Sequence, residues 1–256
     1  MFEHRRPAFP KGVLTKEVLC SLRNIAAMEQ DVRYSEYSDG IVSGCELVEE
    51  NMRIGILSGV VKYAGRLYML GEKMTVPYQP TEDWTMLKIR FGPQVKDREY
   101  TLFQGQLVLD SNLQTSRAEM ELGRFKLKQG SRLRAKYKDF RDLMTEFDTV
   151  NLVNVRHAAP QAQTLSPVIT TFFAQEAYAF ARDAIDIAFC TQCLASGEPV
   201  RRELILRYIC RRCDRAYAEM DNAELHRCLS DILDDISGRG KAEPKRLEMD
   251  SVMLVN

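Results

Sequence analysis

Between Gly40 and about Arg134, apolar and polar residues alternate in short runs separated by glycine; after Ser166, apolar residues recur every third or fourth position almost to the end. Alternation with a period of two places one face of a strand against a core, and recurrence at three and four does the same for one face of a helix. The chain therefore reads as α+β: a glycine-rich antiparallel β N-terminal half followed by a helical hairpin or three-helix C-terminal half.

The elements follow from this pattern. Val18, Leu19, Leu22, Ile25 and Met28 predict a helix over about 16–30, behind Thr15 as N-cap. Runs at 40–48, 52–63, 67–70 and 74–77 predict short strands with glycines at the bends, and Ala64-Gly65-Arg66 is a turn. In the strand over 85–91, Met86, Lys88 and Arg90 share one face and Leu87, Ile89 and Phe91 the other. Strands at 100–109, with a kink at Gly105, and at 119–127 follow. Over 139–155, Phe140, Leu143, Met144 and Phe147 suggest a short helix before an extended segment. Ser166 and Pro167 open a long helix through Leu194, because serine caps and proline fits the first turn. Gly197-Glu198-Pro199 breaks it; a second helix spans about 203–219, and a third follows a cap at Asp221 or Asn222. The resulting units are an N-terminal arm and helix (1–39), a β-rich domain (40–157), a helical domain (166–237) and a C-terminal tail (238–256) whose residues 249–255 form a late strand or docking segment.

Charge narrows the function. Lys plus Arg and Asp plus Glu are 36 each, so the basic excess that usually marks a phosphate-binding surface is missing. No apolar run reaches the roughly 18 residues of a membrane span, and no apolar signal core follows the basic start. Seven cysteines are an odd number for a fully paired secreted framework, which points to synthesis in a reducing compartment.

Four of those cysteines are the chief chemical candidates. Cys190 and Cys193, then Cys210 and Cys213, form two Cys-x2-Cys pairs with sixteen residues between them, within the spacing of a tetrahedral zinc site. Both pairs also sit inside helical patterns, where cysteine serves as a small buried apolar residue. The histidines, His4, His157 and His226, are scattered in sequence. The pairs Glu49-Glu50 and Asp234-Asp235 read as solvated, and Gly55, Gly59 and Gly65 lack the spacing of a dinucleotide loop. A basic run, Arg124, Lys126, Lys128, Arg132, Arg134, Lys136 and Lys138, has acidic neighbours at Glu119, Glu121, Asp139 and Asp142 and reads as a salt-bridged surface before a nucleic-acid face. No residue is assigned to catalysis or cofactor binding.

The stretches Asp39-Gly40-Ile41-Val42-Ser43-Gly44-Cys45-Glu46-Leu47 and Gly59-Val60-Val61-Lys62-Tyr63-Ala64-Gly65-Arg66-Leu67-Tyr68 resemble baseplate and fibre-attachment proteins of phage tails and related contractile particles. The opening Arg5-Arg6-Pro7-Ala8-Phe9-Pro10-Lys11-Gly12 looks like proteins of clostridial-type prophage tail clusters, some of which carry helicase-like labels. The helicase ATP loop, Gly-x4-Gly-Lys-Ser/Thr, is absent from this sequence. The resemblance covers about 1–92. It implies a non-enzymatic structural protein whose segment 40–70 shapes a docking unit, with the arm clamping a neighbour. Its implied partners are other baseplate, tube, sheath or fibre proteins and copies of itself, without nucleic acid. It implies a cytoplasmic location during assembly, then a virion or tail-like particle released by lysis. The alternative is a zinc-stabilised cytoplasmic adaptor held by the four cysteines.

Overall fold

A computed structural model describes residues 15–96, 101–195 and 198–238. The predicted arm over 1–12 and the late segment at 249–255 lie outside the described residues. The order is as the pattern predicts: an α+β chain with strands over about 40–125 and helices over about 167–236. Helix α1 (Lys16–Tyr34) begins at Thr15, whose side chain accepts from the Val18 amide, and runs past its predicted end.

The runs predicted at 40–48 and 52–63 each divide in two, giving β1 (Gly40–Gly44), β2 (Leu47–Glu50), β3 (Arg53–Ile56) and β4 (Gly59–Tyr63). Gly44 and Cys45 have φ of +62° and +60°, and two successive left-handed residues carry the chain out of one sheet into the next. The facing run bends at the same level, where Gly44 pairs with Gly59. A Cβ on Gly59 would stand 2.3 Å from the Cys45 amide nitrogen and 2.6 Å from the Ser43 carbonyl oxygen. We expect Gly59→Ala to cost about 1–3 kcal/mol by overpacking this bend. Gly71→Ala, which meets open space, should stay within about 0.5 kcal/mol of the parent; urea unfolding of both variants checks this.

Asn51 and Met52 join β2 to β3, and Ala64 and Gly65 join β4 to β5 (Arg66–Leu70); all four have positive φ, as a two-residue type I′ hairpin turn requires. Two antiparallel sheets result, β1-β4-β5 and β2-β3-β6, with β6 at Met74–Pro77. A third has β7 (Thr85–Phe91) between β10 (Gly105–Asp110) and β11 (Glu119–Phe125). A small hairpin, β8 (Val95–Lys96) with β9 (Thr101–Leu102), lies between β7 and β10 in sequence. The three sheets share one core, built from residues such as Ile54, Val61, Leu87, Leu122, Phe125 and Leu127.

The helical half has four helices, one more than the pattern suggested. The predicted long helix is cut into α2 (Pro167–Tyr178) and α3 (Ala184–Ala195). Asp183 causes the restart: its carboxylate accepts from the Ile185 amide at 2.8 Å, an N-cap contact that competes with continued helix. Helix α4 (Arg202–Arg212) stops before its predicted end because Asp214 adopts φ +47°, and the Arg215 amide closes on the Cys210 carbonyl at 2.9 Å. Helix α5 (Asn222–Ile236) opens with a capping box between Asp221 and Glu224.

A second core fills the helical half around Phe173, Cys190, Ile205, Ile209, Leu225 and Leu229. Phe140, Leu143 and Val153 also belong to it, so the segment after β11 is shared between the halves. A short 3-10 helix, Arg141–Met144, forms where a helix was suggested. Residues 155–158, at the end of the β half and the start of the linker, bond both to β1 and to the residue that opens α5. The Ile41 amide donates to the Arg156 carbonyl, the Ala158 amide to the Ile41 carbonyl, and the Asn222 side chain to the Val155 carbonyl.

Candidate functional site

The four cysteines of the Cys-x2-Cys pairs lie on two helices, α3 and α4, in or against the same helical core. Cys190 and Cys193 lie one turn apart on α3, 0% and 4% exposed, inside the helical core. Cys210 lies on α4 with its thiol toward the Ala216 carbonyl, and Cys213 caps that helix on the side of Cys228. Among the described residues, no group of three or more His, Cys, Asp or Glu side chains is arranged to hold a metal ion. Burial pushes the Cys190 thiol up to about 11, helped by the charge of Asp186, and pushes Cys193 up to about 12. Thiols held that high are poor nucleophiles near neutral pH, since the thiolate is the reactive form. We therefore expect a thiol reagent to leave both unmodified until the chain unfolds, and a chelator to leave the melting temperature unchanged. Loss of helical signal on chelation would contradict this reading.

The histidines do not converge on a reaction centre. His157 lies where the halves join, exchanging backbone bonds with Thr164. His226 is buried on α5 and stacks on Phe140, with ring centroids 4.5 Å apart. Its Nε2 has no hydrogen-bond partner, and burial lowers both imidazoles to about 4. His4 lies outside the described residues. Glu49 accepts from the Tyr78 hydroxyl and Glu50 pairs with Lys73, while Asp234 pairs with Arg141 and Asp235 with Arg212. Each carboxylate thus has a cation or hydroxyl beside it.

The basic run divides by partner. Arg124 forks onto Glu121 at 2.6–2.7 Å, Lys126 meets Glu146 at 2.7 Å, and Arg134 pairs with Asp142. Lys126 and Lys128 lie over the Phe147 ring. The first link lies within β11 and the others brace the segment after it, and together they use up much of the charge that a phosphate backbone would need.

One charged residue escaped the pattern. β7 is the centre strand of its sheet, and Lys88, read as half of a polar face, is 1% exposed. Its ammonium lies 2.8 Å from Asp110 and 3.2 Å from Glu119. Burial by itself would lower Lys88, but its hydrogen bonds to the two carboxylates outweigh that and raise it. The Ser116 amide leads the groups that hold Glu119 at about 2, against burial and with Arg90 and Lys88. Removing Lys88 strands these carboxylates on β10 and β11. A fully enclosed pair costs roughly 3–5 kcal/mol to break. This network opens to water through Arg90, 49% exposed, so Lys88→Ala should cost less, about 2–3 kcal/mol by urea unfolding.

Three concavities stand out among the described residues; one of about 630 Å³ lies by the break between α2 and α3 and the end of α5, lined by Phe180, Arg182, Asp183, Asp186, Arg212 and Asp235. An apolar groove of about 610 Å³ lies between the outer strands β5 and β10, lined by Val61, Tyr68, Leu70, Ile89, Phe91 and Leu107. Arg66 stacks over Phe103 at its rim, 4.2 Å from the ring centroid. A polar cleft of about 960 Å³ lies where the halves meet, lined by Arg117, Arg124, Arg156 and Arg202 with Asp39, Glu119, Glu121 and Asp221. These carboxylates are already engaged: Asp39 accepts from the Ala64 amide, Glu121 from Arg124, and Asp221 caps α5.

Larger apolar exposure lies mostly outside the concavities. On α1, Leu22, Ile25, Met28 and Val32 are 37–71% exposed, and among the described residues no other element packs extensively along that helix. On α3, Ile187 and Leu194 sit two turns apart at 39% and 42%, preceded by Tyr178 and Phe180 at 51% and 49%. No helix among the described residues is long and apolar enough to cross a membrane. No family model, curated protein or solved structure matches the chain.

Proposed function

We propose that the chain is a structural docking component of a larger assembly, of the kind found in the baseplate of a phage tail or tail-like contractile particle. The observation that carries the docking part is the pair of separate apolar faces, on α1 and α3, that the described residues leave uncovered. Contiguous exposed apolar surface marks protein–protein contact far more often than chemistry. The two faces lie on different units, which suits a part that joins neighbours. The assignment to phage tails rests on the resemblance carried by Gly40, Gly44, Gly59, Gly65 and Arg66. In this fold Gly44 and Gly59 shape the strand crossing and Gly65 the β4–β5 turn. No observation favours the zinc adaptor over this reading.

Mechanistically, the two cores give a rigid body, and affinity comes from several weak contacts made at once. The test is isolation of the tagged chain from cells producing such particles, followed by identification of what is held. Tube, sheath or fibre proteins should co-purify in fixed ratio. Leu194→Glu, which buries a charge in the contact, should weaken their capture about tenfold or more. Recovery of the chain without any tail protein would overturn the assignment.

A further inference from the structure

We infer that α1 pairs with α1 of a second copy, in parallel and in register. The inference deepens the docking reading by naming one partner, and it rests on that reading only in treating the uncovered stripe as a contact surface. Val18, Ile25 and Val32 are spaced by sevens along α1. Met28 lies between the last two on the same seam, and Leu22 widens it. A strict seven-residue repeat is the signature of helices that supercoil about one another, and β-branched residues at its first position favour two parallel strands.

The helix has a reason to need a partner. A helix of about 15 residues or fewer is marginal alone in water, and longer ones still draw most of their stability from packing an apolar face. Helix α1 is tied to the body at its C-terminal end, where the Lys62 ammonium donates to the Tyr34 and Tyr37 carbonyls. Among its exposed side chains, Val32 is 71% and Met28 64% accessible.

A second copy fits this stripe on three counts. With 36 positive and 36 negative residues, copies carry no net charge to hold them apart. In a parallel register Ser21 falls opposite Ser21, giving one small polar layer matched to itself; an antiparallel register sets that serine against an apolar residue. Polar layers of this kind select register and orientation. The flanking pair in the parallel register is Asn24 with Glu29 of the second copy, an amide against a carboxylate, so like charges do not meet there.

The seam is short, about 28 Å for 19 residues at 1.5 Å each. Its buried area therefore falls below that of a standard stable interface, and dimerisation should follow concentration. Sedimentation velocity of the purified chain, from about 1 to about 200 µM, should show a monomer–dimer equilibrium. Ile25→Glu should shift its midpoint at least tenfold to higher concentration, while Gln30→Glu on the outer face should not. At about 1 µM, where the chain is monomeric, the thermal melt is set by the two cores and should be unchanged in both, which excludes misfolding as the cause. In a Cys20→Ser background, Val32→Cys should crosslink between copies on mild oxidation, because a parallel register brings the two positions together. A monomer at every concentration overturns the pairing. A dimer insensitive to Ile25→Glu also overturns it. A dimer in which Val32→Cys crosslinks only to Val18→Cys overturns the parallel register. The pure protein is tested without tail proteins, so either outcome leaves the phage-tail assignment standing or falling on its own experiment.

Discussion

Phe173→Ala should destabilise the chain by about 3–5 kcal/mol, the range for truncating a fully buried phenylalanine. Phe173 is 0% exposed and stands at the centre of the helical core, edge-on to Phe140, Phe189 and Tyr208 with ring centroids 5.8–6.1 Å away. Phe189 and Tyr208 stack at 3.9 Å, and the Tyr208 hydroxyl donates to Asp186 at 2.9 Å. The cavity would therefore open beside a buried polar contact that cannot shift to fill it. Phe140 belongs to the segment shared between the halves, so the loss should be felt beyond α2. Phe173→Leu keeps most of the volume and should cost less than about 1.5 kcal/mol. Urea unfolding followed by far-ultraviolet circular dichroism and by the fluorescence of Trp84, which lies in the β half, measures both. A smaller loss for alanine than for leucine would mean that the ring cluster is not the centre of the core.

The second large effect is on acid stability. His226 is 3% exposed and its imidazole is lowered from 6.5 to about 4, first by burial and against a hydrogen bond at Phe140. The unfolded chain therefore binds this proton more readily than the folded chain. Its contribution is complete above pH 6.5 and declines as pH falls from 6.5 towards 4, and the loss reaches about 3 kcal/mol once pH is below both values. His157 is lowered to about 4 by burial and adds in the same window, by less because its side chain is partly exposed. Carboxylates act later. Glu119, led by the Ser116 amide, and Asp142, led by Arg134, are each lowered to about 2, so their contributions fade between roughly pH 4.5 and pH 2. Stability should thus decline in two stages on acidification. His226→Phe, which keeps a ring against Phe140, should flatten the first stage and leave the second. An unchanged profile between pH 6.5 and 4 in that variant would show that the buried imidazole is not its source.

Much of this architecture is legible where local chemistry and tertiary packing agree. Ser166 with Pro167 and Asp221 with Glu224 start α2 and α5 because capping residues satisfy the first amides of a helix. The glycine-bounded strands from Gly40 to Leu70 are visible because the turns need positive φ at Gly44 and Gly65. The sheet switch at Cys45 was not, because a cysteine at φ +60° leaves no mark in the sequence. The division of α2 from α3 was hidden for a related reason: apolar periodicity continues through Phe180 to Ile185, and one aspartate does the capping. Lys88 shows the limit of alternation. A period of two distinguishes two faces but does not tell which is solvated, and only the partners Asp110 and Glu119, on other strands, make an enclosed ammonium tolerable. The four cysteines suggested a site by spacing alone; their helices send them to different neighbours. The periodic stripe on α1 predicts the helix but not its surroundings, and only the structure shows that no other described element covers it.

The docking account is tested most directly by native mass spectrometry of particles or complexes isolated through the tagged chain, with metal content read on the same sample. The account predicts this chain at fixed stoichiometry with tube, sheath or fibre proteins, in more than one copy and without zinc. A monomer that carries one zinc and holds no tail protein would contradict it, and would return the four cysteines to the centre of the molecule's function.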